Sequence, residues 1–336
     1  MKLTLMLLAG SALILAGMLG MVTQSGAGTW DLEVLQQAEY SRSMQLWAFP
    51  ALWIGFGSLA GLFPFHTWSP DGHASAPTAV SMLHAGVLMK LGAFGVIRVG
   101  MVCLPDGAVA WAAVVGTVAA INVVWGALSA MGQTDLKYIV AYSSVSHMGI
   151  VLLGAATLNV DGWNGAVFQM FAHGVMTGLF FALVGLVYER AHNREIFEMG
   201  GFAEKMPAVA VFFTLGCLSS LGLPGLAGFV AEFLVFVGAW QSAHPWWTIP
   251  AILGAFLTAL YVLRAVRVIF WGPGPSDRYH DLTDANGTEW VALVVLGACI
   301  VIFGVAPDLI LQFVDVSTVE YLAPVLDALT DAGGAS

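Results

Sequence analysis

Residues 207–240 read PAVAVFFTLGCLSSLGLPGLAGFVAEFLVFVGAW. The run is too apolar for a loop and too long for one straight membrane helix, which needs about 20 residues to cross the hydrocarbon core. In its middle stands Leu223-Pro224-Gly225, where proline removes a backbone donor and glycine loosens the turn. The stretch therefore reads as one broken membrane helix. Such a break leaves backbone groups that only a protein-lined or watery interior can satisfy. It implies a polar cavity inside the bilayer, with Glu232 eight residues beyond Pro224 and placed to gate it.

The rest of the chain agrees. Of 336 residues, 59% are hydrophobic and 10% charged, with mean hydropathy +0.84, against about a quarter charged in an ordinary globular domain. The fold class expected is all-α integral membrane. Apolar runs at 3–22, 44–63, 78–101, 107–131, 138–158, 165–189, 247–271 and 289–306 make eight straight spans, and the broken helix makes nine. Lys2 ahead of the first run resembles a signal peptide, but the apolar length favours a span. Residues 1–306 then form one polytopic domain, and 307–336 a short C-terminal tail on the outer side. Alternating the spans puts Lys2, Lys137, Arg190, Arg194, Lys205, Arg264, Arg267 and Arg278 at one end and only Arg42 and Arg98 at the other. By the positive-inside rule the first end is cytoplasmic, with the N-terminus inside and the C-terminus outside; a bacterial inner membrane is the expected location.

Several chemistries have no support. Cys103, Cys217 and Cys299 lie in apolar segments without metal or disulfide spacing. No phosphate loop, haem-attachment motif or iron–sulfur cysteine run occurs, so no cofactor is expected on this chain. The net charge of -10 reads as a solvated surface of loop and tail acids.

Ionisable groups within a bilayer cost several kcal/mol unless paired or hydrated, which marks them as functional candidates. Four qualify: Lys90 in GVLMKLGAFG (86–95), His147 in AYSSVSHMG, His173 in FQMFAHGVMTG, and Glu232. Burial moves lysine and glutamate toward neutrality, and histidine needs little help, so all four suit proton exchange. Gln169, His173 and Thr177 follow at i, i+4, i+8, and Ser143 stands one turn before His147. The competing accounts are a structural hydrogen bond for either histidine and a helix-fastening ion pair for Lys90 with Glu232. His84 points to another face and reads as a packing residue. A second break is suggested at Phe63-Pro64-Phe65-His66, followed by a polar loop, HTWSPDGHASAPT. Its His66, Asp71 and His73 are too irregularly spaced to favour a metal over a loop capping a channel mouth.

The words FPFHTWSPDGHASAPTAVSMLHAGVLMKLGAFGVIR, QTDLKYIVAYSSVSHMGIVLLG, QMFAHGVMTGLFFALVGLVYERAHNREIFEMGGFAEKMP and LGLPGLAGFVAEFLVFVGAW resemble, in order, the antiporter-like subunits of respiratory complex I. SSVSHMG and YERAHNR look like subunit M (chain 4) rather than subunit L. Subunits of multi-subunit sodium/proton antiporters and membrane hydrogenases share much of this text. The resemblance covers the chain to about residue 306. It implies an inverted-repeat fold in which Lys90 is the central lysine, His147 and His173 are connecting histidines, and Glu232 is the terminal acid of a proton path. It also implies neighbouring antiporter-like subunits as partners, and partner subunits that carry NADH, FMN, iron–sulfur clusters and quinone.

Two departures stand out. The nine spans correspond to the family's sixth through fourteenth helices, so its first five, including a glutamate on the fifth, have no counterpart. The family's other lysine falls on Leu59. Losing both partners of a buried charge pair leaves an apolar site that can pack, whereas losing one strands the other. The leading expectation is a proton-translocating membrane-arm subunit of NADH:quinone oxidoreductase. Its rivals are a non-pumping structural spacer and a sodium/proton antiporter subunit; the missing helices are either supplied by a separate chain or replaced by lipid or a neighbouring subunit.

Overall fold

A computed structural model of the chain describes residues 1–273, 277–279 and 281–334. The helices are α1 (Lys2–Ser25), α2 (Leu32–Gln36), α3 (Arg42–Ala60), α4 (Trp68–Ser75), α5 (Thr78–Leu83), α6 (Met89–Gly95), α7 (Pro105–Met131), α8 (Leu136–Ala156), α9 (Val160–Ala191), α10 (Pro207–Ser220), α11 (Ala227–Gln241), α12 (Thr248–Ile269), α13 (Gly287–Val305) and α14 (Asp308–Gly334). Among the described residues nine helical stretches are long and apolar enough to cross a membrane, and α10 and α11 are two shorter apolar helices. The chain is an integral membrane bundle. At its centre α8 is almost wholly buried against α7 and α9, whereas α1 and α13 keep most of their apolar surface on the outside, as lipid-facing helices do.

Both expected breaks are present, and each is repaired internally. The helix α3 stops at Gly61, which has φ +79°, a left-handed conformation that glycine adopts without strain. Across the gap Leu62 N donates to Gly57 O at 2.8 Å, Phe63 N donates to Asn122 Oδ1 at 2.9 Å, and Trp68 Nε1 donates to Ser58 O at 2.7 Å. Asn122 in turn donates to Val145 O at 2.9 Å, tying the break to α8. The second break runs from Leu221 to Leu226 between α10 and α11, where Leu223 N donates to Leu218 O at 2.9 Å.

Three sequence expectations need correction. The segment HTWSPDGHASAPT is not a polar loop: it folds as a 3-10 turn and α4, with Ser69, Pro70 and His73 buried. Proline is tolerated in a first helical turn because the donor it lacks is unused there, so Pro70 does not break α4. The stretch 78–101 is not a plain helix either, since π-helical turns at His84–Leu88 and Val96–Met101 bracket α6. Finally, residues 307–336 are no short tail, although 335–336 lie outside the described residues. Asp308–Gly334 is a 27-residue helix.

By length α14 would cross a bilayer, but two polar contacts of its middle lie at one end of the bundle. Asp315 accepts from Asn164, near the start of α9, at 2.8 Å. Two turns later the Tyr321 ring receives the Arg98 guanidinium, 4.1 Å away, at the end of the 78–101 span. The helix therefore lies across the end of the bundle that holds Arg98. The opposite end holds Lys2, paired with Asp71 at 2.8 Å, and Arg194, paired with Asp135 at 3.1 Å.

Close approach of α6 to α3 depends on Gly92, where an added Cβ would stand 2.4 Å from Ala60 N and 2.6 Å from Phe56 O. Backbone cannot step aside as a side chain can. Gly92→Val is expected to lower stability by about 1–3 kcal/mol or more, the usual cost of overpacking. Gly287→Ala, with open space around the added methyl, should be near neutral. Thermal unfolding of the two variants in detergent checks the contrast.

Candidate functional site

The four buried candidates come from four different spans and meet along one line. Lys90 is carried by α6, His147 by α8, His173 by α9 and Glu232 by α11, and all are buried. The Lys90 ammonium donates to the carbonyl oxygen of Ala85. Ala85 lies in the π turn just before α6, where the regular i to i−4 ladder is interrupted, so the helix supplies an internal acceptor to an amine that has no neighbouring acid. The stem of Lys90 runs beside Gly174: a Cβ built there would be 3.9 Å from Lys90 Cε. Chain continuity brings His173 to the same place.

His173 is 1% exposed, and neither ring nitrogen has a protein partner among the described residues. Thr177, read from sequence as its polar neighbour, spends its hydroxyl on the His173 carbonyl at 2.6 Å. The ring of His173 lies 5.1 Å from that of His147, centroid to centroid. An orphaned buried polar group costs about 1–3 kcal/mol, and in folded proteins such groups mark an ordered water or a functional role.

His147 is the branch point. Its Nε2 is 3.1 Å from Ser220 Oγ, at the end of α10 beside the break. Its Nδ1 is 3.2 Å from Gln169 Nε2 and 3.2 Å from Glu232 Oε1. The Glu232 approach is within ion-pair range yet off the line of a hydrogen bond, since Oε1 has no hydrogen-bond partner. With a proton on Nε2, the ring donates to Ser220 and accepts from Gln169; with a proton on Nδ1, it can donate to Glu232 once ring and carboxyl reorient into line, while the Ser220 hydroxyl donates to Nε2. The two tautomers thus face different partners. Room for the carboxylate comes from Gly222, with φ +73°, where any Cβ would stand 2.9 Å from Glu232 Oε2.

Other candidates disperse. His66 Nε2 accepts from Trp125 Nε1 at 3.2 Å, Asp71 faces Lys2 and Tyr138, and His73 turns inward. No cluster of three metal-binding side chains occurs among the described residues. Leu59 is half-buried, with its backbone against Gly92, so the site of the family's other lysine does adjoin the Lys90 helix.

Two residues have a setting that the sequence did not indicate: His73, read there only as a loop residue, and Tyr261. His73 is fully buried with both ring nitrogens unpartnered, its ring 6.0 Å from that of His84, and the charges of Lys90 and Lys137 both reach it. Lys137 and Arg194 line a groove of about 300 Å³ at the basic end of the bundle, beside residues 74–78. His73 therefore adjoins the groove through its neighbour Ala74 and faces His84, which opens the π turn that holds Ala85; its Asp-Gly neighbours disguised it as a loop residue. The second is Tyr261, fully buried on α12, whose hydroxyl donates to Ser143 Oγ at 2.7 Å. Ser143, read as a companion of His147, faces this tyrosine instead.

The closeness of His147 and Glu232 is testable by stability. His147→Ala strands a buried carboxyl and is expected to cost about 3–5 kcal/mol. Replacing both by leucine should cost less than the sum of the single changes, with a coupling of about 1–3 kcal/mol in a double-mutant cycle followed by denaturant unfolding. Additive costs would contradict the contact.

The comparisons with known proteins are consistent with one another. The family described as NADH:quinone oxidoreductase/Mrp antiporter, TM, matches residues 1–258. The chain is 40% identical over 328 residues to NAD(P)H-quinone oxidoreductase chain 4 1 of a Picosynechococcus strain, covering 95% of this chain and 61% of the relative. It is 38% identical over 327 residues to chain 4 2 of Thermosynechococcus vestitus, with the same coverage, 95% and 61%. It thus spans about three fifths of the length of these relatives. Among solved structures, a chain of respiratory complex I from Thermus thermophilus superposes with TM-score 0.91 at 30% identity, over 96% of this chain and 68% of that one. A chain of the Mrp complex from Dietzia shares the fold, with TM-score 0.85 at 20% identity, over 96% and 68% of the two chains.

Proposed function

Because the chain belongs to the NADH:quinone oxidoreductase/Mrp antiporter transmembrane family, we propose that it is a proton-translocating membrane-arm subunit of an NADH:quinone oxidoreductase. The observation that carries this reading is the buried line Lys90, His173, His147, Glu232, built from four spans and ending at a helix break. Protons arrive from the basic end, the cytoplasmic side by the charge rule. They pass from the groove at Lys137 to His73 and on to Lys90, where the Ala85 carbonyl holds the ammonium. Water bridges Lys90 to the free nitrogens of His173. His147 then changes tautomer, taking a proton on Nε2, the nitrogen beside Ser220, and yielding one from Nδ1 toward Glu232, which releases it to the outer side.

Coupling to the redox reaction is electrostatic: a charge arriving at Lys90 biases protonation of the groups that follow, and a neighbouring subunit's charge biases Lys90 in turn. NADH, FMN, iron–sulfur clusters and quinone belong to partner subunits, and neighbouring antiporter-like subunits are the immediate partners. The path for input is the point at which Leu59 matters. With no lysine there, His73 supplies the titratable group between the groove and Lys90.

Leu59 also favours a second reading, in which the chain is a spacer that bridges its neighbours without pumping. Lys90→Met combined with Glu232→Gln in the reconstituted assembly separates the two. Translocation predicts that protons moved per NADH oxidised fall by this subunit's whole share; an unchanged ratio in a normally assembled complex sinks it. His73→Leu should slow proton delivery to Lys90 roughly 100-fold, the contribution of a positioned proton-transfer group. An unaffected rate in that variant would remove His73 from the path without touching the remainder.

A further inference from the structure

At the end of the bundle opposite the basic groove, α14, the start of α9 and the end of the 78–101 span enclose a groove of about 470 Å³. Its walls are mostly apolar and include Phe94, Ile97, Trp163, Val167, Met170 and Phe313. The groove opens outward: Phe94 is 53% and Phe313 70% exposed. Below Phe94 the exposed Leu83, Val87 and Leu91 continue one stripe down the same span at helical spacing. That is the course an acyl chain would take along the protein.

The polar rim of the groove carries a positive charge. Arg98 donates through Nη1 to Gln36 Oε1 and lies over the Tyr321 ring. None of the ion pairs among the described residues involves it. A guanidinium has five donors in a planar fork that matches phosphate oxygens. Both the partners that Arg98 does have are neutral, so its charge is positioned but not balanced. Ser317 and Thr318 of α14 line the same rim and bring two hydroxyls. Arginine at the water boundary, hydroxyls beside it and an apolar trough below reproduce, in order, the parts of a phospholipid.

We propose that this groove binds one anionic phospholipid, with its phosphate on Arg98 and the rim hydroxyls and one acyl chain along Phe94, Leu91 and Val87. The surroundings make the charge decisive. The same helix carries Asp308, Asp315 and Glu320 next to the groove-lining Leu309, Val314 and Tyr321, so Arg98 is the one basic side chain that lines the groove. The bound lipid clamps α14 to the 78–101 span. The inference goes beyond the proton path and stands whether or not the chain pumps.

Native mass spectrometry of the purified assembly, from which this subunit is released in the gas phase, tests it after equilibration with either phosphatidylglycerol or phosphatidylcholine. The wild-type subunit should retain one phosphatidylglycerol about tenfold or more over phosphatidylcholine, the ratio expected for one charge-assisted contact. Arg98→Gln should abolish the preference. Because that change also loosens Tyr321, Ser317→Glu serves as the second variant: Ser317 is exposed, so the new charge repels the headgroup without disturbing packing, whereas Ser317→Gln should keep the lipid. Equal retention of both lipids by the wild type, or undiminished phosphatidylglycerol in both charge variants, overturns the proposal. So does a protein segment of a neighbouring subunit found filling the groove.

Discussion

A hydrocarbon interior makes every unpaired backbone group and every unpaired charge costly, and this one constraint orders the whole molecule. At three departures from a straight helix a polar side chain or a carbonyl is supplied from nearby. The α3 break is closed by Asn122 and Trp68, and the α10 break presents Ser220 to His147. The π turn before α6 presents Ala85 to Lys90. What would be defects in a lipid-facing helix become, inside the bundle, the places where polar chemistry is held. The three irregular spans are those that carry Lys90, Leu59 and Glu232, and those of Lys90 and Glu232 touch the regular, deeply buried α8, which has His147 at its middle.

Seen this way, the four ionisable groups differ in how fully they are satisfied. Lys90 has a carbonyl, and His147 has Ser220, Gln169 and Glu232 within reach, but both nitrogens of His173 are without protein partners. A merely structural histidine between helices would be fixed by at least one hydrogen bond. His173 is held by packing alone, between an amine stem on one side and the His147 ring on the other. That is what a relay requires, since a strong fixed partner on either nitrogen would trap the proton. The shared Nδ1 of His147 serves the same end by offering two alternative partners.

Much of this was legible in the sequence. The spans follow from apolar length, and both breaks from proline and glycine within apolar runs. Lys90, His147, His173 and Glu232 stand out because such residues are rare at that depth. Their meeting in space was not legible, because it depends on helix packing between residues up to 142 positions apart. The π turns have no compositional signal at all. His73 was hidden because Asp71-Gly72 reads as a turn, although Pro70 in a first helical turn is compatible with α4. The helix α14 was missed for the opposite reason: its apolar residues are spread around acids at helical spacing instead of forming one run, the pattern of a surface helix. Tyr261 looked like one aromatic among many until its hydroxyl was found on Ser143.

The central claim is that Lys90, His173 and His147 form one hydrated line, with water at the nitrogens of His173. A map of the intact membrane assembly by electron cryomicroscopy, at a resolution that shows ordered water, addresses it directly. The account predicts water within about 2.7–3.2 Å of each His173 ring nitrogen, continuous with Lys90 Nζ on one side and reaching His147 on the other. A dry His173, with both nitrogens packed against carbon and no density between its ring and Lys90, would contradict it.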